Sequence, residues 1–277
     1  MLKRGFAANC ISLKSSFITD AVEIVSGWTM QSIISLTFDD GLRCHFGQAL
    51  PILNSHGFRA TFFLVANSDR VLKDGFRHPR WNKTNWSRKD TQLLAGMIQQ
   101  GHEIGSHSVH HKHPFLDKDP RFEAEASKKW IEDRLGIEVS SYCYPFCHFS
   151  DPIKDAVMEA GYKQARWGAH ESYYPLQDPL DKFKVDCRLV AKFGYERVRD
   201  NFIGKYGAEN VDAWARPACW HVLMFHGIGG INDGWWPIPI AEFAREMADL
   251  AVLRDSGAVE VVTFEEGAKR FGCGGQG

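Results

Sequence analysis

Residues 33–41 read Ile-Ile-Ser-Leu-Thr-Phe-Asp-Asp-Gly, a short apolar and β-branched run that ends in two adjacent carboxylates. Residues 60–65, Ala-Thr-Phe-Phe-Leu-Val, form a second run without polar alternation, which is typical of a parallel strand buried on both faces. A helical pattern over 46–56 separates the two runs, and a further helix begins at its cap Ser87 and ends at Gly101. Such strand–helix units, when repeated, predict a parallel sheet.

The alternation of strands and helices continues toward the C-terminus. The predicted strands that follow are 102–106, 139–144, 162–166, 183–190, 221–225 and 259–263, and the predicted helices are 121–135, 151–160 and 240–254. About seven or eight such units in a chain of this length predict an α/β fold, a (β/α)7-8 barrel that forms a single domain. We place this domain at 31–270, between an N-terminal extension at 1–30 and a flexible Gly-rich tail at 271–277.

The amino-acid composition bears on which partners and which cellular compartment to expect. The 33 Lys and Arg residues nearly balance the 34 Asp and Glu residues, so the net charge of −1 gives no electrostatic reason to expect nucleic acid or an anionic membrane. No apolar run is long enough to predict a membrane span. The seven scattered Cys residues do not resemble a secreted disulfide framework. The first residues show no convincing signal peptide, which favours cytoplasmic residence or a chain that lacks its leader.

Polar clusters follow several of the predicted strands. Asp39 and Asp40 follow the first strand, His107 and His111 the third, and His226 the strand at 221–225. Because the active sites of parallel barrels lie at the carboxyl ends of the strands, residues roughly 190 positions apart can converge there. Two imidazoles four positions apart share one face of a helical turn, and with one carboxylate they make the three-ligand pattern of a catalytic zinc site.

Each cluster also has an ordinary structural interpretation. Asp-Asp-Gly can be a capping turn, the His-rich segment a surface loop, and 141–147 no more than a strand that ends at Pro145. At the rim of a barrel the same residues gain chemical roles. The amide of Phe146 could serve there as an oxyanion donor, and His226 becomes a candidate general acid.

Four motifs taken together resemble a known family. They are 37–41 (Thr-Phe-Asp-Asp-Gly), 107–111 (His-Ser-Val-His-His), 144–146 (Tyr-Pro-Phe) and 223–226 (Leu-Met-Phe-His), in this order. The set is similar to the polysaccharide deacetylases, carbohydrate esterase family 4, whose NodB-homology domain it resembles over roughly 33–265. The first two motifs are specific as a pair, and the other two add support. The resemblance implies a distorted (β/α) barrel of the NodB type.

The resemblance also implies roles for individual residues. Asp39 matches the catalytic base and His226 the catalytic acid of the family. Asp40, His107 and His111 match the ligands of one divalent metal, which is zinc in most members and cobalt or nickel in others. The implied reaction is hydrolysis of an acetyl group on a glycan.

The third motif departs from the family pattern. Phe146 matches the residue whose backbone N–H holds the oxyanion, but Cys143 stands where many members have an Arg that braces the base. We expect Arg166, after the next helix, to reach Asp39 instead. The Asp that tunes the acid His in the family has only Asp186 as a weak match. We expect these departures to affect which substrate is accepted more than the type of reaction.

The implied partner is an N-acetylated glycan of chitin, peptidoglycan or poly-N-acetylglucosamine type. Trp235, Trp236, Tyr144 and Trp81 are candidates to contact its sugar rings, although such Trp side chains can equally pack beneath loops. Two alternatives keep the same site but change the bond, to the O-acetyl ester of xylan or to a cyclic amide. A non-catalytic carbohydrate-binding protein is less favoured, because the base, the three ligands and the acid are all present.

Overall fold

The computed structural model describes residues 31–66, 86–113, 118–168, 173–175, 180–190 and 219–271. The remaining residues lie outside the described part of the chain. They include the predicted extension at 1–30, residues 272–277 of the predicted tail and the candidate sugar-binding residue Trp81.

Strands and helices alternate along the described chain. The strands are β1 (Ser32–Phe38), β2 (Thr61–Leu64), β3 (Glu103–Ser106), β4 (Ser141–Cys143), β5 (Gln164–Arg166), β6 (Tyr173–Pro175), β7 (Arg188–Leu189), β8 (Cys219–Phe225) and β9 (Val259–Val262). The helices are α1 (Leu50–Ser55), α2 (Arg88–Gln99), α3 (Pro120–Leu135), α4 (Asp151–Glu159), α5 (Ile240–Asp255) and α6 (Phe264–Phe271). A π-helical turn, His45–Ala49, precedes α1, and a 3-10 turn, Pro145–Cys147, follows β4.

The strands form one curled sheet with β1 at its centre. The order along the sheet is β5-β4-β3-β2-β1-β8-β6, and every pairing is parallel except that of β6 with β8. One edge of β1 pairs with β8 from Ile33 to Phe38. Its other edge is shared, because β9 pairs with Ser32 to Ser35 and β2 with Thr37 and Phe38. The central strand therefore has neighbours on both edges and is buried throughout.

A short segment closes the ring of strands. Val185 forms a parallel bridge with Arg166 at the end of β5, and β7 then pairs with Leu223 and Met224 of β8. Of the predicted strand over 183–190, only Arg188 and Leu189 form a strand ladder, because the chain crosses from β5 to β8 and pairs with each for only a short distance. The predicted distorted (β/α) barrel is confirmed.

Two apolar layers lie on opposite sides of the sheet. Alternate residues of a strand face opposite sides, so Phe62 packs outside beneath the helices while Phe63 packs in the interior of the barrel. In the outer layer the ring of Phe38 stacks between those of Phe62 and Phe225, with centroids 4.9 and 5.0 Å away. Phe243 of α5 covers the stack edge-on. This stack fixes the end of β1 one residue before the two adjacent carboxylates.

The ends of the helices follow the sequence signals. The Ser87 hydroxyl accepts a hydrogen bond from the Asp90 amide at 3.2 Å, which confirms the predicted cap of α2. Gly101 and Gly136 have φ of 85° and 65° after α2 and α3, a conformation that glycine adopts without steric cost. Within the described ranges, none of the helices combines the length and the apolar character that crossing a bilayer requires.

The phenylalanine stack predicts a large stability effect. Phe38→Ala removes the middle ring from a fully buried site, so we expect it to lower the free energy of unfolding by about 3–5 kcal/mol in urea denaturation. Val252→Ala, at a side chain that is 62% exposed on α5, is the control and should change it by less than about 0.5 kcal/mol. Equal effects of the two substitutions would contradict this account of the core.

Candidate active site

One cleft of about 280 Å³ lies at the carboxyl ends of β1, β3, β4 and β8. The residues that line it come from all four sequence motifs and from the loop after β8: Asp39, Asp40, His107, His111, Tyr144, Phe146, Cys147, His226, Trp235 and Trp236. The structure therefore brings together the predicted site residues of the described chain, with Arg166 buried behind Asp39.

The first motif presents two carboxylates at the end of the central strand. The Asp39 amide donates to the Phe225 carbonyl at 3.0 Å, which extends the pairing of β1 and β8 by one residue. Asp40 then has φ of 74° and Gly41 of 62°, so the chain turns sharply. A left-handed Asp is strained and persists only where its surroundings hold it. Because of this turn, both carboxylates line the cleft instead of pointing to opposite sides.

Three side chains offer ligand atoms to a common point. Asp40 Oδ1 lies 3.3 Å from His111 Nε2 and 3.9 Å from His107 Nε2. The ligand atoms of the three residues all lie within 4.8 Å of one another. One carboxylate oxygen and two imidazole nitrogens are the donor types of catalytic zinc sites.

The hydrogen bonding of His107 suits a metal ligand. Its Nδ1 lies 2.9 Å from the Cys143 carbonyl oxygen, which can only accept, so Nδ1 carries the proton and Nε2 keeps its lone pair. Burial lowers the pKa of His107, although Asp39 and Asp40 oppose the shift, so the ring is neutral as a ligand must be.

The loop that carries His111 is not the helical turn expected from the spacing of its histidines. Ser108 and His111 have φ of 65° and 51°, and the His111 amide donates to the Ser108 hydroxyl at 2.9 Å. A reversal of the chain, and not an i to i+4 helical step, sets the two imidazoles with centroids 4.7 Å apart. The pairing that the spacing predicted is therefore reached by a different backbone.

A buried carboxylate on α3 holds this loop. Glu123 Oε2 accepts from the amides of Val109 and His110 at 2.9 and 2.8 Å, and its Oε1 lies 2.6 Å from His110 Nδ1. Sequence reasoning missed Glu123, because an acidic residue in the first turn of a helix is an ordinary feature. Only its burial, at 3% exposed, marks it as unusual.

Asp39 is paired with a buried cation. The Arg166 guanidinium, fully buried at the end of β5, contacts Asp39 Oδ2 through Nη2. Its nitrogens also donate to the thiols of Cys143 and Cys187, each at 2.7 Å. Burial acts to raise the pKa of Asp39, but the charge of Arg166, assisted by His107 and His226, outweighs it and holds that pKa below its usual range. Asp39 is therefore ionised.

A second group of potential ligands shares residues with the first. The ligand atoms of Asp39, His107 and Cys143 also lie within 4.8 Å of one another. Arg166 Nη2 contacts both Asp39 and Cys143, so a positive charge already occupies that side. Burial raises the pKa of the Cys143 thiol well above its usual value, which further disfavours the thiolate that a metal needs. The set with Asp40 is the better cation site.

His226 lies beside Asp39 in the cleft. Its Nε2 is 3.8 Å from Asp39 Oδ2, and its ring meets that of Trp236 edge-on with centroids 5.6 Å apart. Within the described residues, His226 Nδ1 has no hydrogen-bond partner. Asp186, the weak candidate for that partner, accepts instead from the Cys187 amide at 2.8 Å.

The turn after β4 places Phe146 beside the ligand loop. Phe146 and Cys147 have φ of 59° and 57°, two successive left-handed residues in the 3-10 turn that Pro145 begins. The Phe146 ring packs against the rings of His111 and His113, with centroids 4.7 and 5.0 Å away. The backbone of Phe146 is thus fixed next to a candidate metal ligand.

The aromatic residues of the cleft differ in exposure. Trp235 is 44% exposed and lies 6.1 Å from Trp236, centroid to centroid, so the pair offers an apolar surface at the mouth of the cleft. Tyr144, also predicted to contact sugar, is fully buried, and its ring packs against Tyr142 and Phe149. It lines the cleft from beneath.

Comparisons with known proteins identify related sequences. The family model described as polysaccharide deacetylase matches residues 27–165. The chain is 27% identical over 158 residues to a peptidoglycan-N-acetylglucosamine deacetylase of Bacillus cereus, a match that covers 54% of this chain and 61% of that protein. It is 32% identical over 90 residues to a chitin deacetylase of a Pestalotiopsis species, covering 32% of this chain and 24% of that one. The chain thus spans less than two thirds of either relative.

A solved structure shares the fold. The Xyl-CE4 domain of a multidomain xylanase from the hindgut metagenome of Trinervitermes trinervoides superimposes with a TM-score of 0.54 and 16% identity, over 86% of this chain and 89% of that one. Likeness at this identity speaks for the fold alone. The family match extends over half of the sequence and contains the first three motifs, from Asp39 to Phe146. The chain belongs to the polysaccharide deacetylase family, carbohydrate esterase family 4 with the NodB fold.

Proposed function

We propose that this protein is a metal-dependent hydrolase that removes N-acetyl groups from a poly- or oligosaccharide containing N-acetylglucosamine. The observation that carries the proposal is the convergence of Asp40, His107 and His111 on one point beside the ionised Asp39. The names of the two curated relatives, which concern peptidoglycan and chitin, support this class of substrate.

The three ligands suit a divalent cation. The Nδ1 of His107 is engaged by a backbone carbonyl, and both histidines turn Nε2 toward the Asp40 carboxylate. This set of one oxygen and two nitrogens favours zinc, and cobalt or nickel would also be accepted. When bound there, a divalent cation supplies Lewis acidity, which polarises a carbonyl group and makes water more acidic.

Asp39 would act as the general base. Its contact with Arg166 keeps it ionised and ready to accept a proton from the attacking water. A carboxylate with a lowered pKa is a weak base, and a divalent cation held by Asp40, His107 and His111 would compensate by making water more acidic. The two adjacent Asp residues would therefore differ in role because their surroundings differ, Arg166 facing Asp39 and two imidazoles facing Asp40.

The groups around Asp39 would serve the rest of the reaction. The Phe146 N–H would donate to the acetyl oxygen as negative charge develops on it. His226, whose Nε2 is 3.8 Å from Asp39 Oδ2, would give a proton to the leaving amine. Trp235 and Trp236, which bound the mouth of the cleft, would pack against sugar rings, with Tyr144 beneath them.

The direct test pairs metal analysis with acetate release. We expect the purified protein to bind one equivalent of zinc, and to release acetate from chitin oligosaccharides or peptidoglycan fragments only when a metal is bound. Dipicolinate should abolish the activity, and added zinc or cobalt should restore it. Acetate release from acetylxylan alone would contradict N-deacetylation and favour the O-acetyl ester as substrate. Activity that survives complete removal of metal would contradict the mechanism.

Two substitutions separate the base from the ligands. Asp39→Asn removes the proton acceptor, so we expect kcat to fall by about 10²–10⁴-fold while bound zinc is unchanged. His107→Ala removes a ligand and should lose zinc and activity together. Activity and metal content are measured on the same preparations. An Asp39→Asn protein with near wild-type kcat would refute the assignment of the base.

The ion pair between Arg166 and Asp39 should set the pH dependence of kcat/KM. Arg166→Gln removes the charge that lowers the pKa of Asp39, so that pKa should rise. Since the base works only when ionised, the acidic limb of kcat/KM against pH should move to higher pH. Arg121→Gln, at an exposed Arg on α3, is the matched control. An acidic limb that stays in place in Arg166→Gln would show that Asp39 is not the group that titrates.

A further inference from the structure

Residues 42–45, which follow the two-carboxylate turn, pack against the loop that carries His226. We call 226–238 the acid loop. Cys44 Sγ donates to the Asp233 carbonyl at 3.0 Å and accepts from the Ile228 amide at 3.4 Å. The acid loop is thus attached to Cys44 at two backbone groups.

The approach of the two segments is close. A Cβ added at Gly234 would lie 2.3 Å from Leu42 Cδ1 and 3.0 Å from the Gly227 backbone. Such distances leave no space for a side chain, so the acid loop rests directly on residues 42–45. The contact fixes the position of the loop at this point.

His45 makes the attachment nearest to the cleft. It is fully buried, and its Nε2 lies 2.6 Å from the backbone carbonyl oxygen of His226. A carbonyl oxygen only accepts, so His45 Nε2 is the donor. Burial lowers the pKa of His45 to about 4, which leaves the ring neutral with its proton on Nε2. Phe38 meets the His45 ring edge-on at 5.3 Å and holds it in place.

Backbone hydrogen bonds within the acid loop join its two ends, so the hydrogen bond from His45 constrains the loop as a whole. The Gly227 amide donates to the Trp235 carbonyl at 3.0 Å, and the Ile238 amide donates back to the Gly227 carbonyl at 2.9 Å. The Gly229 amide donates to the Ile238 carbonyl at 2.8 Å. His226 is the first residue of this hydrogen-bonded loop. It directly follows Phe225, the last residue of β8 that pairs with β1.

We propose that His45 is a positioning residue for His226, holding the His226 carbonyl so that the imidazole stays in the cleft beside Asp39. The inference rests on the proposed function, in which His226 protonates the leaving amine. His45 acts through the backbone of His226, and the ring of His45 does not line the cleft. Its loss should therefore affect proton donation and leave the base and the metal ligands in place.

The test uses two substrates that differ in their need for an acid. An amine must be protonated to leave, whereas 4-nitrophenolate leaves without a proton. His45→Phe keeps an aromatic ring but removes the donor, and we expect kcat on penta-N-acetylchitopentaose to fall about 10–100-fold, as misplaced catalytic groups do. The rate on 4-nitrophenyl acetate and the zinc content should stay within about threefold of wild type. His45→Gln, whose amide N–H reaches as far as Nε2, should recover most of the lost rate.

A polar pair of variants repeats the test if the Phe ring is not tolerated. His45→Asn is too short to reach the His226 carbonyl, so it should lose activity selectively where His45→Gln does not. Equal losses on both substrates, or equal rates for the Gln variant and the Phe or Asn variant, would overturn the positioning role. His226→Ala is assayed alongside and should show the same selective loss. If it does not, the proposed acid is wrong, an outcome distinct from failure of His45 alone.

Discussion

The buried contact between Arg166 and Asp39 is the interaction on which the rest of the site depends. Two adjacent carboxylates, each 2% exposed, lie at the end of the central strand, where water screens them poorly. Such a pair would take up a proton unless positive charge compensated it. Arg166 compensates one carboxylate from behind, and two imidazoles face the other from the cleft. In the proposed function, that difference in surroundings would give the two adjacent, identical side chains separate roles.

The barrel explains why these groups meet. β1 has neighbours on both edges, so its carboxyl end lies beside that of β8 and beside Thr61 and Phe62 of β2. The pairing continues through β3 and β4 to Arg166 on β5. Buried hydrogen bonds then hold the loops that follow the strands and lie beyond the sheet pairing. Glu123 holds the backbone before His111, and Cys44 and His45 hold the loop that begins with His226. In the proposed function the motifs would supply the reacting groups, and residues outside the motifs would set the positions of those groups.

Much of this could be predicted from local pattern. The strands, the helix caps and the clustering of motifs at one rim follow from periodicity and from the rule that parallel strands share a carboxyl edge. The role of Arg166 is predicted from a departure in the third motif, because Cys143 stands where many family members have the Arg that contacts the catalytic base. Glu123 and His45 could not be foreseen, because their roles arise from contacts between segments distant in sequence. The left-handed turn at 108–111 and the antiparallel β6 likewise depend on tertiary packing.

The proposed function requires that Asp40, His107 and His111 share one cation. X-ray absorption at the zinc edge tests it most directly, because zinc–sulfur and zinc–nitrogen or zinc–oxygen distances differ, at about 2.3 Å against about 2.0–2.1 Å. We expect only nitrogen and oxygen ligands around the zinc ion in the zinc-loaded protein. A sulfur ligand would instead place the ion among Asp39, His107 and Cys143, and would contradict both the ligand set and the free base.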